Sequence, residues 1–221
     1  MTREETRARI QEIGIIPAVR LYSAEDALFA AEAVCAGGIP IVEVTMTVPG
    51  AVDVIGELTR QNTGILVGAG TLFHVETARR CLDAGAAFLT TPGLDPEIVN
   101  FALGRGVVVF PGALTPTEVM AAWKAGVDFV KVFPCAANGG PAYIRALKAP
   151  FSEVPLIASG GVNQTNAIDF IRAGAVALGI GRDLIHQDAV GRRERGWITE
   201  LARRYLKMVN EARSIQQGLH S

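Results

Sequence analysis

The chain has 221 residues, 49% of them apolar, and a formal net charge of −1, which suits one sizeable core of the size of an α/β barrel, commonly about 250 residues as one unit. No basic stripe argues for a nucleic-acid partner, no run approaches the roughly 18 to 20 apolar residues that cross a bilayer, and the charged start MTREETRARI lacks a signal peptide's apolar stretch, so a cytoplasmic protein is expected. Three cysteines (Cys35, Cys81, Cys135) and three histidines (His74, His186, His220) are scattered without HxH, HExxH or CxxC spacing, so neither a disulfide framework nor a metal site is expected.

In chain order, an extra N-terminal helix precedes the first predicted strand, IIPAV (15–19), and Ser23 opens the next helix at SAED. A unit then recurs in which a helix-like segment ends in glycine and runs at once into a short apolar stretch. The units are CAGGIPIVEV (35–44), NTGILVGAG (62–70), DAGAAFLTT (83–91), GRGVVVFPG (104–112), KAGVDFVKVFP (124–134) and RAGAVALGIG (172–181). Their glycines, Gly37, Gly64, Gly85, Gly106, Gly126 and Gly174, lie 20 to 27 residues apart until a last step of 48, which leaves room for a further strand, LIAS (156–159). Glycine just past a helix end supplies a left-handed cap, and uniformly apolar runs suit parallel strands covered on both faces. Asp95-Pro96 and the capping box TPTE (115–118), with Pro116 at the first helical position, mark further helix starts. The arginine-rich GRRERG (191–196) reads as a solvated turn before a closing helix over about 196–214. Eight strands alternating with eight helices predict a single-domain (β/α)8 TIM barrel over residues 1–221. A doubly wound open sheet would usually show a glycine fingerprint after its first strand, and IPAVRLYSAED has none.

Chemistry in such a barrel sits where strands run into the following loops. Those positions are Arg20, Glu43 with Thr45, Thr71, Thr91-Pro92, Pro111, Lys131 with Phe133, Ser159-Gly160-Gly161 and Gly181-Arg182. Strand alternation turns Val130 and Val132 toward the helices and Lys131 and Phe133 toward the barrel interior. Burial penalises the charged amine, which makes the neutral form accessible for attack on a ketone. The other three lysines, Lys124, Lys148 and Lys207, fall on helix-like segments. The same parity turns Glu43 inward, where a carboxylate could shuttle protons for the amine. A plain buried ion pair between Lys131 and Glu43 predicts the same proximity. The glycine pair in SGGVNQTN (159–166), with LGIGRDLI (178–185), suits an anion held by backbone N–H groups and a helix N-terminus, and Arg182 adds a fixed charge.

The motifs VEVTM (42–46), VGAGTL (67–72), TPG (91–93), PGALTPTE (111–118), VKVFP (130–134) and SGGV (159–162) together resemble a known family. It comprises the bacterial 2-keto-3-deoxy-6-phosphogluconate (KDPG) and 4-hydroxy-2-oxoglutarate (KHG) aldolases, with the 2-keto-3-deoxy-6-phosphogalactonate (KDPGal) aldolases among them. The resemblance runs from about residue 10 to 210. It implies that Lys131 is the Schiff-base lysine and Glu43 the proton-transferring glutamate. It further implies that Thr71 helps hold the carboxylate, that Pro92 and Phe133 wall the pocket, and that Gly160 and Gly161 bind phosphate. A homotrimer acting on a small-molecule 2-keto acid, with a covalent lysine imine and no cofactor or metal, follows from the same resemblance. Three positions depart from the pattern. Thr47 stands where gluconate-type members carry an arginine; Arg20 is similar to an arginine of galactonate-type members and could hold the carboxylate instead; Arg182 replaces a serine near the phosphate.

The expected reaction is cleavage of a 2-keto-3-deoxy-6-phospho sugar acid to pyruvate and glyceraldehyde 3-phosphate, with the gluconate and galactonate epimers both open. Cleavage of 4-hydroxy-2-oxoglutarate or another non-phosphorylated 2-keto acid is the alternative. A ribulose-phosphate epimerase or thiamine-phosphate synthase relative would not need a lysine inside the sixth strand. A non-catalytic sugar-acid-binding barrel is the reading from another class.

Overall fold

The chain's computed structural model describes residues 1–61 and 64–218; residues 62 and 63 of the unit 62–70, and His220, lie outside them. Local signals set the helix starts. Ser23 accepts from the Asp26 N–H, Asp95 accepts from Glu97 and Ile98, and Thr115 and Glu118 form a reciprocal capping box with Pro116 in the first turn. Gly64, Gly85, Gly106, Gly126 and Gly174 all take positive φ. Gly37 does not (φ −80), and the left-handed residue there is Gly38. Gly37 is small for another reason: a Cβ would sit 2.5 Å from Ala202 Cβ and 2.6 Å from the Thr199 carbonyl oxygen. The first glycine of the repeat is therefore a close-packing point for the last helix.

The strands are β1 (Ile15–Val19), β2 (Ile41–Thr45), β3 (Leu66–Gly70), β4 (Phe88–Thr90), β5 (Val108–Phe110), β6 (Gly112–Ala113), β7 (Val130–Val132), β8 (Leu156–Ser159) and β9 (Ala175–Ile180). They pair in parallel in the order β5-β4-β3-β2-β1-β9-β8-β7-β6. Because β5 and β6 are consecutive in sequence, the two ends of this order are one barrel strand split at Pro111. Proline has no N–H to give a ladder, so Pro111 lies within a strand and not, as expected, at its end. The eight-stranded barrel closes across this break. The Asp128 N–H donates to Val109 O (3.2 Å), the Lys131 N–H to Pro111 O (3.0 Å) and the Phe133 N–H to Ala113 O (3.1 Å).

Around the barrel run α2 (Ala24–Ala36), α3 (Ala51–Arg60), α4 (Val75–Asp83), α5 (Pro96–Gly104), α6 (Pro116–Lys124), α7 (Gly140–Lys148), α8 (Ala167–Arg172) and α10 (Arg195–Gly218). A five-residue helix, α9 (Gln187–Gly191), precedes α10, and the extra N-terminal helix is α1 (Arg3–Ile13). Arg213 of α10 donates to the carbonyls of Gln11, Glu12 and Val176, capping the end of α1. The segment GRRERG is not simply solvated. Arg193 pairs with Glu25 and Asp26, Arg195 pairs with Glu32, and their guanidiniums lie 5.0 and 5.6 Å from the Phe29 ring. It clasps the start of α10 to α2. No described helix is long and apolar enough to cross a membrane.

Asp128, just before β7, is an acid at a closing seam. Its buried carboxylate accepts the Val109 N–H (3.1 Å) and the single N–H of Arg3 Nε, shared between its two oxygens (2.9 and 3.1 Å). One side chain thus ties β5, β7 and α1 together. Asp128→Ala strands a buried backbone donor, which costs about 1–3 kcal/mol. Thermal unfolding should show a Tm several degrees lower, with Asp128→Asn intermediate; an unchanged Tm for the alanine variant would contradict this role.

Candidate active site

Inward-facing positions of the short strands build the site from the barrel floor upward. Phe88 and Phe110 stack at 5.4 Å, and Phe129 meets Phe110 edge-on at 6.1 Å, forming an aromatic floor. Lys131 is two residues beyond Phe129, on the same face of the chain, and therefore rises above that floor. Glu43 is paired in register with Ala18 on one side and Gly68 on the other. Its side chain fits because β3 carries glycine at two successive positions of this face: a Cβ on Gly70 would lie 1.8 Å from Glu43 Oε1, and one on Gly68 2.1 Å from the Phe88 ring. The two inward glycines of VGAG make room for the carboxylate and for the floor. VGAG belongs to the strand unit 62–70, and the inward parity of its two glycines is the sequence signal for the room beside Glu43.

Lys131 and Glu43 are 8% and 3% exposed, and Lys131 Nζ lies 3.7 Å from Glu43 Oε2. That separation is ion-pair distance but longer than a hydrogen bond. Nζ also lies 3.5 Å from Thr90 Oγ1, whose hydroxyl donates to Phe110 O, and 5.6 Å from the centre of the Phe133 ring. Thr90 was not among the expected residues. It is inward by the same parity as Phe88, one residue before the strand-end pair Thr91-Pro92. The amine is therefore buried, single and met by one carboxylate, one hydroxyl and one ring face. Four residues further along the chain, desolvation pushes the buried Cys135 thiol up to about 12, which leaves this thiol inert as a nucleophile near neutral pH.

The other expected residues lie on the same rim. Arg20, exposed after β1, donates from Nη2 to Thr71 Oγ1 (3.1 Å) and from Nη1 to Thr47 Oγ1 (3.4 Å). Thr71, after β3, has φ 60, rare for a β-branched residue. Pro92 is half-buried after β4, with its carbonyl packed over Gly112, where a Cβ would come within 2.0 Å. Gly160 and Gly161 both take left-handed conformations, φ 87 and 82. A Cβ on Gly160 would meet Pro134 at 2.9 Å and Phe133 at 3.1 Å, which sets this turn directly against the end of the lysine strand. Asn166 Nδ2 holds the Gly161 carbonyl at 3.0 Å. The helix that follows, α8, has six residues and starts at Ala167. It supplies less helix dipole than expected, and the anion reading rests on the glycine turn and Arg182. Arg182 is exposed, has no hydrogen-bond or ion-pair partner among the described residues, and shares a cavity of about 200 Å³ with Ala18, Arg20, Gly181, Ile185 and Gln187. A larger groove, of about 660 Å³, runs along α10 between Arg203 and Ile215 but holds none of these residues.

Among the described residues no three His, Cys, Asp or Glu side chains group as a metal site. What the geometry offers is amine chemistry: a buried primary amine, a carboxylate beside it, and donors on the rim for anionic groups.

The chain matches the family model for KDPG and KHG aldolases over residues 6–201. It is 32% identical over 200 residues to a 2-dehydro-3-deoxy-phosphogluconate aldolase of Treponema pallidum (strain Nichols), covering 90% of this chain and 95% of the relative. It is 33% identical over 181 residues to the 2-dehydro-3-deoxy-6-phosphogalactonate aldolase of Escherichia coli (strain K12), covering 78% of this chain and 85% of the relative. Among solved structures, the KDPG aldolase of Legionella pneumophila, with pyruvate captured as a covalent carbinolamine intermediate, is similar with a TM-score of 0.83 at 29% identity, over 90% of this chain and 96% of that one. The chain belongs to the KDPG and KHG aldolase family.

Proposed function

We propose that this chain is a Schiff-base aldolase that cleaves 2-keto-3-deoxy-6-phosphogluconate, or its galactonate epimer, to pyruvate and glyceraldehyde 3-phosphate. The observation that carries the reading is the buried amine of Lys131 at 3.7 Å from Glu43. Glu43 takes a proton from the ammonium, and the free amine attacks the C2 ketone. The carbinolamine that forms loses water, with Glu43 returning a proton to the departing hydroxyl, and leaves a protonated imine. Glu43, again a carboxylate, takes the C4 hydroxyl proton as the C3–C4 bond breaks; the aldehyde leaves, and the electron pair of that bond moves into the imine to give an enamine. Glu43 protonates the enamine at C3, and hydrolysis releases pyruvate and the amine.

In this reading Arg20 and Thr71 hold the carboxylate, Pro92 and Phe133 wall the pocket, and Gly160, Gly161 and Arg182 receive the distal phosphate. No external cofactor or metal takes part. The working unit is one barrel domain, residues 1–221, in a cytoplasmic homotrimer that serves sugar-acid breakdown of the Entner–Doudoroff type.

Pyruvate release from the phosphogluconate, phosphogalactonate and 4-hydroxy-2-oxoglutarate substrates, measured side by side, tests the reading. A phosphorylated sugar acid should be cleaved with the highest kcat/KM; preference for the oxoglutarate would overturn that assignment. Arg182→Ala sharpens the test. A charge-assisted contact is worth roughly 1.5 to 3 kcal/mol, so kcat/KM on a phosphorylated substrate should fall about 10- to 150-fold. A short substrate without the distal group should be cleaved nearly as before. Equal losses on both would reject Arg182 as the reader of that group.

A further inference from the structure

Arg20 carries its charge on a long, exposed side chain, and such a fork orients a ligand well only if it is itself held. The hydroxyls beside it form a chain whose direction can be worked out. Thr45, wholly buried at the end of β2, donates its hydroxyl proton to the Val19 carbonyl at 2.9 Å. A hydroxyl has one proton to give. In the 2.7 Å contact between Thr45 Oγ1 and Thr47 Oγ1, Thr47 is therefore the donor. That leaves the Thr47 lone pairs to accept from Arg20 Nη1 at 3.4 Å, while Arg20 Nη2 donates to Thr71 Oγ1 at 3.1 Å. The chain runs one way: Arg20 to Thr47, to Thr45, to the backbone of Val19, the residue that precedes Arg20. Thr71 accepts from Arg20, and its own proton has no acceptor among the described residues.

We infer that Thr47 is a positioning residue that locks the Arg20 guanidinium, through Thr45, to the backbone of its own strand. Arg20 then presents its remaining N–H groups, and Thr71 its unused O–H, to one carboxylate. The positive φ of Thr71, 60°, is a conformation that a β-branched side chain keeps only when its surroundings fix it, and it turns this hydroxyl to the arginine. The naming of a 2-keto acid carboxylate as the ligand rests on the aldolase reading; the hydroxyl chain does not.

The experiment follows borohydride trapping of the protein as a function of pyruvate concentration. Thr47→Val fills the same space without a hydroxyl, and should raise the half-saturating pyruvate concentration about 3- to 10-fold, the scale of one net intramolecular hydrogen bond. Maximal trapping and the thermal midpoint should stay as in the parent chain. Thr47→Ser restores the hydroxyl and should recover half-saturation to within about twofold, and in an Arg20→Met background Thr47→Val should add less than about twofold. A full extra loss in that background, a serine no better than valine, or an unshifted half-saturation in Thr47→Val would each overturn the role given to Thr47. Absence of trapping in the unmodified chain would overturn the aldolase reading as well, so the two failures are distinguishable.

Discussion

Lys131→Arg is expected to be as inactive as Lys131→Ala, with cleavage lowered at least roughly 10⁴-fold in both, the scale on which losing a covalent catalytic group shows. The pair of variants separates two roles of the same side chain. Arginine keeps a positive charge beside Glu43, which lies 3.7 Å from Nζ, but its guanidinium stays protonated and cannot form an imine. If the pair served only to neutralise a buried carboxylate, the arginine variant would keep most of its activity. Alanine removes the charge and leaves Glu43, 3% exposed, without its cation. Breaking a buried pair from one side costs about 3–5 kcal/mol, so Lys131→Ala should also unfold at a lower temperature than Lys131→Arg. Activity in a pyruvate-release assay and thermal unfolding, measured on both, check this. An active arginine variant would contradict the covalent role.

Glu43→Gln should lower kcat by roughly 10²- to 10⁴-fold, the usual contribution of a positioned acid–base group. Glutamine has nearly the same shape, and the space left by Gly70 accommodates it as it accommodates the glutamate. What it loses is the ability to take and return a proton, which imine formation, enamine protonation and hydrolysis each require. Thr90 is the other oxygen near the amine, at 3.5 Å, but its proton is committed to the Phe110 carbonyl, so it is a poor substitute. The decisive quantity is turnover at saturating substrate. If kcat stays within a factor of a few of the parent, Glu43 is only an electrostatic partner of Lys131.

The inward placement of Lys131 and Glu43 was legible because it depends on parity. A charged residue in the middle of FVKVF or IVEVT must point to one side of the strand, and in a barrel the inner side is where such a group meets others like it. The helix starts were legible for a similar reason: Ser23, Asp95 and Thr115 act within three residues of themselves. What escaped the sequence lies in contacts between distant segments. Nothing in the spacing of KAGVDFVKVFP singles out Asp128, whose carboxylate holds Val109 and Arg3. Gly37 looks like a helix cap, but it is small because α10 passes over it, and Gly38 is the cap. Pro111 looks like the end of a strand, yet its carbonyl receives the Lys131 N–H and the strand resumes at Gly112. The charges of GRRERG find partners on α2, more than 150 residues earlier in the chain. Residue spacing carries no record of such partners.

Borohydride reduction in the presence of pyruvate, followed by peptide mapping, tests the central claim directly, because it reports the covalent bond itself and needs no knowledge of the preferred sugar acid. The account predicts one reduced adduct, on the peptide that carries Lys131, absent from Lys131→Arg and absent when pyruvate is left out. An adduct on Lys124, Lys148 or Lys207, or a chain that pyruvate and borohydride leave unmodified, would contradict it.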